Sequence, residues 1–217
     1  MKKELVLRLQ ELRRGWFKMQ HYFEKNPSSE NIKNSFGYIF NDINFKFNSS
    51  TGVFSKGKVD FGSGLLIKGF FEDVKCEPRK ILDVGCGVGV IGIVIAKVFK
   101  NSMIDMIDIN TRALELAKEN ISSNEVENAS AFFSDLFENV EGVYDKILSN
   151  PPIRVGKELV FRVYEDAYKY LKSGGALYIV IQKKQGAPSS QEKLEEIFGN
   201  CEIIIKSKGY RVLKAVK

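Results

Sequence analysis

The sequence predicts an α/β fold in which helices and strands alternate around one mostly parallel sheet. Two observations carry this. From residue 79 onward, short apolar runs of strand length alternate with longer stretches of helical apolar spacing. Strands separated by helices imply crossover connections between parallel neighbours. The last two strand-like runs are joined only by residues 206–209, too few for a parallel crossover, so that pair is antiparallel. Strands are expected at 80–84, 103–107, 130–133, 144–148, 176–181, 202–205 and 210–216, and helices at 88–99, 111–121, 157–171 and 190–198.

Ahead of this region the pattern changes. Residues 1–25 space Leu5, Val6, Leu7 and Leu9 among charges as an amphipathic helix does, stopping near Asn26-Pro27. Residues 35–40 and 44–47 are aromatic-rich, roughly alternating runs around Asn41-Asp42, a hairpin signal, and 62–73 reads as helix. The expected division is a helix and hairpin extension, 1–58, followed by a main domain, 59–217. The aromatic residues of the extension (Trp16, Phe17, Tyr22, Phe23, Phe36, Tyr38, Phe40, Phe45, Phe47) fit the core of a small cap better than a base-stacking surface.

With 217 residues, 44% hydrophobic and 28% charged, the chain can bury a core without disulfides or metal. Cys76, Cys86 and Cys201 are odd in number and unpatterned, which reads as reduced thiols in a cytoplasmic protein. No metal site is expected, because His21 is remote in sequence from all three. No uninterrupted apolar run suits a signal peptide or membrane anchor. Thirty-three Lys and Arg against 27 Asp and Glu leave a net charge of +6, a balance that suits a polyanionic partner without requiring one.

The strongest local signal is Asp83-Val-Gly85-Cys-Gly87-Val-Gly89, at the end of the first strand of the alternating region. Ligands bind outside the carboxyl ends of such strands, and glycines there let the backbone turn tightly and approach them. The same stretch also contains Gly87-Val-Gly89-Val-Ile-Gly92, a literal dinucleotide pattern, and Asp108 lies 19 residues past Gly89 at the end of the next strand. Either way Asp108 is expected to accept hydrogen bonds from ribose hydroxyls, so these features indicate an adenosine-containing cofactor without choosing it. The dinucleotide pattern wants its first glycine directly after the strand; that residue is Gly85, which does not begin a GxGxxG.

A further motif, Ser149-Asn150-Pro151-Pro152-Ile153, follows the strand expected at 144–148. Two prolines fix the backbone and remove two amide donors. What remains is an outward carbonyl and an asparagine side chain that together can accept both N–H bonds of a planar amine. Holding both hydrogens favours a pyramidal nitrogen whose lone pair points at an electrophile, with no strong base required.

Residues 83–89, Asp108, Asp135 and 150–153 together resemble the ordered motifs of class I methyltransferases with an NPP active site. Within these, Gly52-Val-Phe54-Ser55, Asp60-Phe61-Gly62-Ser63, Asp108-Ile109-Asn110 and the NPPI form with Arg154 resemble the "methyltransferase small" group, which includes 16S rRNA guanine-N2 methyltransferases. The resemblance implies a Rossmann-like, mostly parallel seven-stranded sheet with one antiparallel strand. The implied cofactor is S-adenosyl-L-methionine and the implied substrate is the exocyclic amine of a nucleic-acid base, guanine N2 in ribosomal RNA or a ribosomal subunit. Asp83, Gly85, Cys86, Gly87 and Gly89 would hold the methionine and ribose portions. Asp108 and Ile109 would meet the ribose, and Asp135 with Leu136 the adenine. Asn150, Pro151, Pro152 and Ile153 would hold the amine, with Asn150 also beside the cofactor. Residues 60–63 would lie over the pocket, Gly62 and Ser63 toward the cofactor and Asp60 and Phe61 toward the substrate. Arg154, Lys157, Lys183 and Lys184 follow strand ends on the site side and are candidates for phosphate contacts. Related NPP enzymes that methylate a protein glutamine or adenine N6 usually carry an aromatic where this chain has Ile153, and a nicotinamide oxidoreductase would need a proton donor that does not stand out. The best-known rRNA enzymes of the group have two tandem halves; this chain has one, so its N-terminal segment must contact substrate alone or with a second subunit.

Overall fold

The computed structural model describes residues 32–53, 57–152 and 156–217. The helix expected at 1–25 lies outside the described residues, as do His21, Phe54, Ser55, Ile153 and Arg154.

Strands β1 (Lys33–Phe40) and β2 (Ile43–Ser50) form the expected hairpin, paired Phe40 to Ile43. Asn41 and Asp42 take φ of 48° and 60°, the left-handed pair a two-residue hairpin turn needs, and Asn and Asp tolerate it best among side-chain-bearing residues. Helix α1 (Phe61–Asp73) follows. Then come β3 (Lys80–Val84), α2 (Val90–Val98), β4 (Met103–Asp108), α3 (Thr111–Ser123), β5 (Ala129–Phe133), β6 (Tyr144–Ser149) and α4 (Lys157–Tyr170). The chain closes with β7 (Leu171–Gln182), α5 (Ala187–Phe198), β8 (Glu202–Ser207) and β9 (Tyr210–Val216). All seven strands expected in the alternating region are present.

They form one sheet in the order β5-β4-β3-β6-β7-β9-β8, in which β9 alone runs antiparallel to its neighbours. The chain turns back between β3 and β6, the switch point where an open α/β sheet leaves a crevice at its carboxyl edge. One strand departs from expectation. β7 begins at Leu171 and not near Ala176, because Ser173-Gly174-Gly175 bulges within the strand and does not end it. The Gly174 amide donates to the Lys217 carbonyl and the Lys217 amide to Gly175, so the chain terminus holds the bulge.

The hairpin, α1, α2 and α3 cover one face of the sheet; α4 and α5 cover the other. Phe36, Phe45 and Phe47 are buried in the same cluster as Leu66, Ile93 and Tyr178, so these hairpin aromatics are core residues, with Tyr38 and Phe40 packed at its margin. The free edge of β2 is closed by side chains. Asn120 near the end of α3 and Asn124, its C-cap one turn on, each accept from and donate to the backbone of one β2 residue, Asn48 and Lys46 respectively, over 2.7–3.0 Å. No helix among the described residues is long and apolar enough to cross a membrane.

Helix α2 approaches β4 closely at Gly92, where a Cβ would collide with the fully buried Met106 thioether. Gly92→Ala is therefore expected to destabilise the fold by about 1–3 kcal/mol, the range for overpacking. The melting temperature would fall by about 2–4 °C per kcal/mol. An unchanged melting temperature would show that the helix can back away freely.

Candidate active site

The register of the parallel strands aligns their carboxyl ends. Val84 pairs with Ile107 on one side and Ser149 on the other, and Asp108 pairs with Phe133. The residues that follow therefore form a row, with Asp135 after β5, Asp108 ending β4, Gly85 after β3 and Asn150 after β6. Neighbouring strands lie ~4.8 Å apart, so the row spans about 14 Å. The Ser149 hydroxyl donates to the Val84 carbonyl at 2.8 Å and ties the ends of β3 and β6 together.

Gly85, Gly87 and Gly89 take φ of 71°, 56° and 87°, a succession that side-chain-bearing residues strongly resist. The amides of Gly85 and Cys86 both donate to the Ile107 carbonyl at 2.9 Å, pinning the loop to β4. A Cβ at Gly85 or Gly87 would meet nothing within 4 Å, so the loop floors an open space. At Gly89 and Gly92 a Cβ would strike packed side chains. The first two glycines thus make room for a ligand and the last two seat α2. The Cys86 side chain is buried, and burial pushes its thiol pKa well up, so it sits in the floor as an inert group.

Asp108 accepts from the Gly87 amide at 2.8 Å through Oδ2 and from the Asn110 amide at 2.9 Å through Oδ1. The Ile109 amide also donates to this carboxylate, which leaves it acceptor capacity for a hydroxyl donor. Burial raises its pKa and these amides oppose the rise. Asp83 lies beneath the loop with no exposure; its Oδ2 accepts from the Gly92 amide at 3.0 Å and its Oδ1 has no partner among the described residues. Burial, with the nearby Asp108 carboxylate adding to it, pushes Asp83 up to about 7. A buried and a half-buried carboxylate beside an open glycine floor suit a ligand that brings hydroxyls and positive charge. At the far end of the row Asp135 is exposed and Leu136 is held at φ 49°.

At the near end the geometry forces one orientation on Asn150. Its Nδ2 lies 3.3 Å from both Asp60 carboxylate oxygens and 3.0 Å from the Ser63 hydroxyl. Only the NH₂ side of a carboxamide can bond a carboxylate, so its two hydrogens are committed there and Oδ1 is turned away. That oxygen accepts from no described residue. Asp60 is itself fixed as the N-cap of α1, accepting from the amides of Gly62 at 2.9 Å and Ser63 at 3.3 Å. Gly62 is small because Asn150 rests on it: a Cβ there would lie 3.4 Å from both amide atoms. Residues 60–63 are thus gathered beside Asn150, with the backbone and hydroxyl of Ser63 turned to Asp60 and Asn150. Pro151 is buried and Pro152 half-buried. Lys157 starts α4 and Lys183 follows β7, both exposed.

Three residues absent from the sequence-based candidates complete the site. Asn110 caps α3 and donates to the Gly52 carbonyl at 3.1 Å, and Arg112 donates to Thr51 at 2.9 Å, which brings the end of the hairpin beside Asp108. Fully buried Asn120 donates to Val88 at 2.9 Å and so ties the glycine loop to β2. Asn110 before a helix is a readable cap signal. Asn120 in a helix interior, where Asn is a poor helix former, was the other available hint.

A family model, the methyltransferase small domain, matches residues 44–214. The chain belongs to this methyltransferase family. Among similar members, an uncharacterized Bacillus subtilis protein is 48% identical over 200 residues, covering 91% of this chain and 98% of that protein. A Haemophilus influenzae ribosomal RNA small subunit methyltransferase C is 37% identical over 168 residues, covering 76% of this chain but 49% of that protein. The chain thus spans about half the length of the curated rRNA methyltransferases it matches. The solved T. thermophilus 16S rRNA N2 G1207 methyltransferase, in complex with AdoMet and guanosine, superposes with a TM-score of 0.77 at 26% identity, over 88% of this chain and 52% of that one. Family membership sets aside the oxidoreductase reading of Gly87-Val-Gly89-Val-Ile-Gly92 and confirms the Rossmann-like methyltransferase fold.

Asp83 gives the family site a measurable pH signature. Its folded pKa, about 7, stands above the ordinary value of 3.8, so the folded state holds the extra proton between those values. Its contribution to stability is fully present below the lower value and is lost as pH rises through the upper one, at about 1.4 kcal/mol per pH unit. The stability of Asp83→Asn relative to the parent should therefore rise between pH 5 and 7, as read by urea titrations at each pH. A constant difference would place the Asp83 carboxyl outside this titration.

Proposed function

We propose that this chain is a cytoplasmic S-adenosyl-L-methionine-dependent methyltransferase acting on the exocyclic amine of an RNA base, with guanine N2 of 16S rRNA as the target. The observation that carries this is the enforced outward aim of Asn150 Oδ1, one strand over from the open glycine floor. In this reading Asp135 and Leu136 flank the adenine and Asp108 receives the ribose hydroxyls. The floor formed by Gly85 and Gly87 takes the methionine part, close to the spare oxygen of Asp83. The cofactor supplies an electrophilic methyl group. The protein supplies alignment: Asn150 Oδ1 and the Pro151 carbonyl accept the two amine hydrogens and orient the nitrogen lone pair toward the methyl carbon. The nitrogen–carbon bond forms as the sulfur–carbon bond breaks, and the amine proton leaves along one of these accepting oxygens to water. The target base must leave its stack to enter. The names of the T. thermophilus and H. influenzae relatives support guanine N2 and small-subunit rRNA.

Two substitutions separate cofactor from chemistry. Asp108→Ala should weaken S-adenosylmethionine binding by about 1–3 kcal/mol in calorimetry, the range for hydrogen bonds to a charged group. Unchanged affinity in the folded variant would remove Asp108 from the cofactor site. Asn150→Ala should bind the cofactor normally yet transfer methyl groups on the order of 10²–10³ more slowly, as when one positioned transition-state hydrogen bond is lost. A near-parental rate would reduce the motif to a turn. The substrate is identified by mass-spectrometric nucleoside mapping of rRNA from a deletion strain. One missing N2-methylguanosine in 16S rRNA is expected, and a full set of rRNA methylations would refute the assignment.

A further inference from the structure

The β8–β9 turn, at the same end of the sheet as Asn150, carries features that methyl transfer does not use. The rings of Phe61 and Tyr210 lie 5.3 Å apart with planes tilted at 56°, and Lys208 Nζ sits 5.1 Å from the Phe61 centroid. Phe61 is 38% exposed although it begins α1 immediately after Asp60, the residue that holds Asn150. The turn is fastened to the site edge: the Lys183 amide donates to the Gly209 carbonyl at 2.7 Å, and Tyr210 pairs with Gln182 at the end of β7. Tyr210 is two strands from Asn150 in the order β6-β7-β9, about 10 Å at the usual spacing.

Apart from Asp60, the surroundings are positively charged. Lys183, Lys184, Lys206 and Lys208 are exposed and Arg211 is half-buried. None of the five forms an ion pair with a described residue, whereas Lys33, Lys169 and Lys193 elsewhere are paired with glutamates or aspartates, and exposed lysines such as Lys46 and Lys118 are unpaired but scattered. Residues 182–190 and 203–217 contain no acid. A half-buried tyrosine under an exposed phenylalanine, among unpaired cations, is a combination that can bind single-stranded nucleic acid: rings take base faces and cations take phosphates. A protein segment would need acids to match the lysines.

We propose that the Phe61–Tyr210 pair and the β8–β9 turn form a stacking platform for the base next to the target nucleotide in a single-stranded RNA segment, with Lys183, Lys206 and Lys208 on its phosphates. The proposal rests on the RNA-base reading of the Asn150 site and adds that the substrate presents its target unpaired. Lys208 covers the Phe61 ring in the free protein and moves to a phosphate as the base takes its place.

The test uses the full-length protein saturated with S-adenosylmethionine and a decauridine carrying one guanosine with 2-aminopurine beside it, in separate 5′ and 3′ versions. One version should be quenched on binding, because stacking quenches 2-aminopurine. Tyr210→Leu should abolish most of the quench and weaken binding by about 5- to 100-fold, while Tyr210→Phe, which keeps the ring, should retain both. Lys208→Ala should weaken binding and lower the salt slope by about one. Equal melting temperatures of the Leu and Phe variants would exclude a folding defect. Binding without quenching in either version, or a Tyr210→Leu variant that binds and quenches like the parent, would overturn the platform. So would failure to bind the oligonucleotide at all, and nucleoside mapping separates that case: a missing 16S methylguanosine leaves the RNA-base reading standing, and its presence removes both.

Discussion

The site depends on the Asp60 carboxylate. It caps α1 through two backbone amides and at the same time holds the amide nitrogen of a residue 90 positions away in the chain. The capped helix end favours its negative charge, so capping and holding reinforce one another. Its place over the strand ends follows from how α1 sits on the sheet. At Gly69 a Cβ would lie 2.9 Å from Ile205 and 3.4 Å from Val212, so the helix rests on the β8–β9 pair at a distance only glycine allows. A helix displaced outward would carry Asp60 away from Asn150, whose carboxamide would then be free to turn over.

The cofactor side works by a different economy of charge. The Asp108 carboxylate lies close enough to oppose ionisation of the fully buried Asp83, whose Oδ1 has no partner among the described residues. Such an arrangement lowers stability in the free protein and raises affinity for a ligand that carries hydroxyls and positive charge. The loop that does this is held from behind by Ile107, Asn120 and the packing of α2. Its unusual backbone is thereby fixed before any ligand arrives, which reduces the ordering cost on binding.

How far this could be read from sequence followed the range of the interactions. β3, its glycine loop and Asp108 were legible because an apolar strand, a glycine cluster and an acid at the next strand end are local patterns. Their alignment follows from parallel pairing alone. The start of β7 was misplaced because Gly174 and Gly175 look like a break, and only the distant Lys217 backbone keeps them in the sheet. Family resemblance puts Asp60 and Ser63 near the pocket, but their grip on Asn150 is a contact across about 90 positions that no local pattern encodes. Asn120 and Asn124 were passed over for a similar reason. They complete the edge of β2, a strand distant in sequence, and on α3 they resemble ordinary polar surface positions.

If Asp60 serves methyl transfer by orienting Asn150, a double-mutant cycle in single-turnover kinetics will show it. Asp60→Asn keeps a good helix cap but offers a second carboxamide that can bond either side of Asn150. Transfer should be slower in Asp60→Asn with cofactor affinity intact, and an Asp60→Asn/Asn150→Ala double variant should be no slower than Asn150→Ala alone. Two losses that add in full, or an Asp60→Asn variant as fast as the parent, would contradict it.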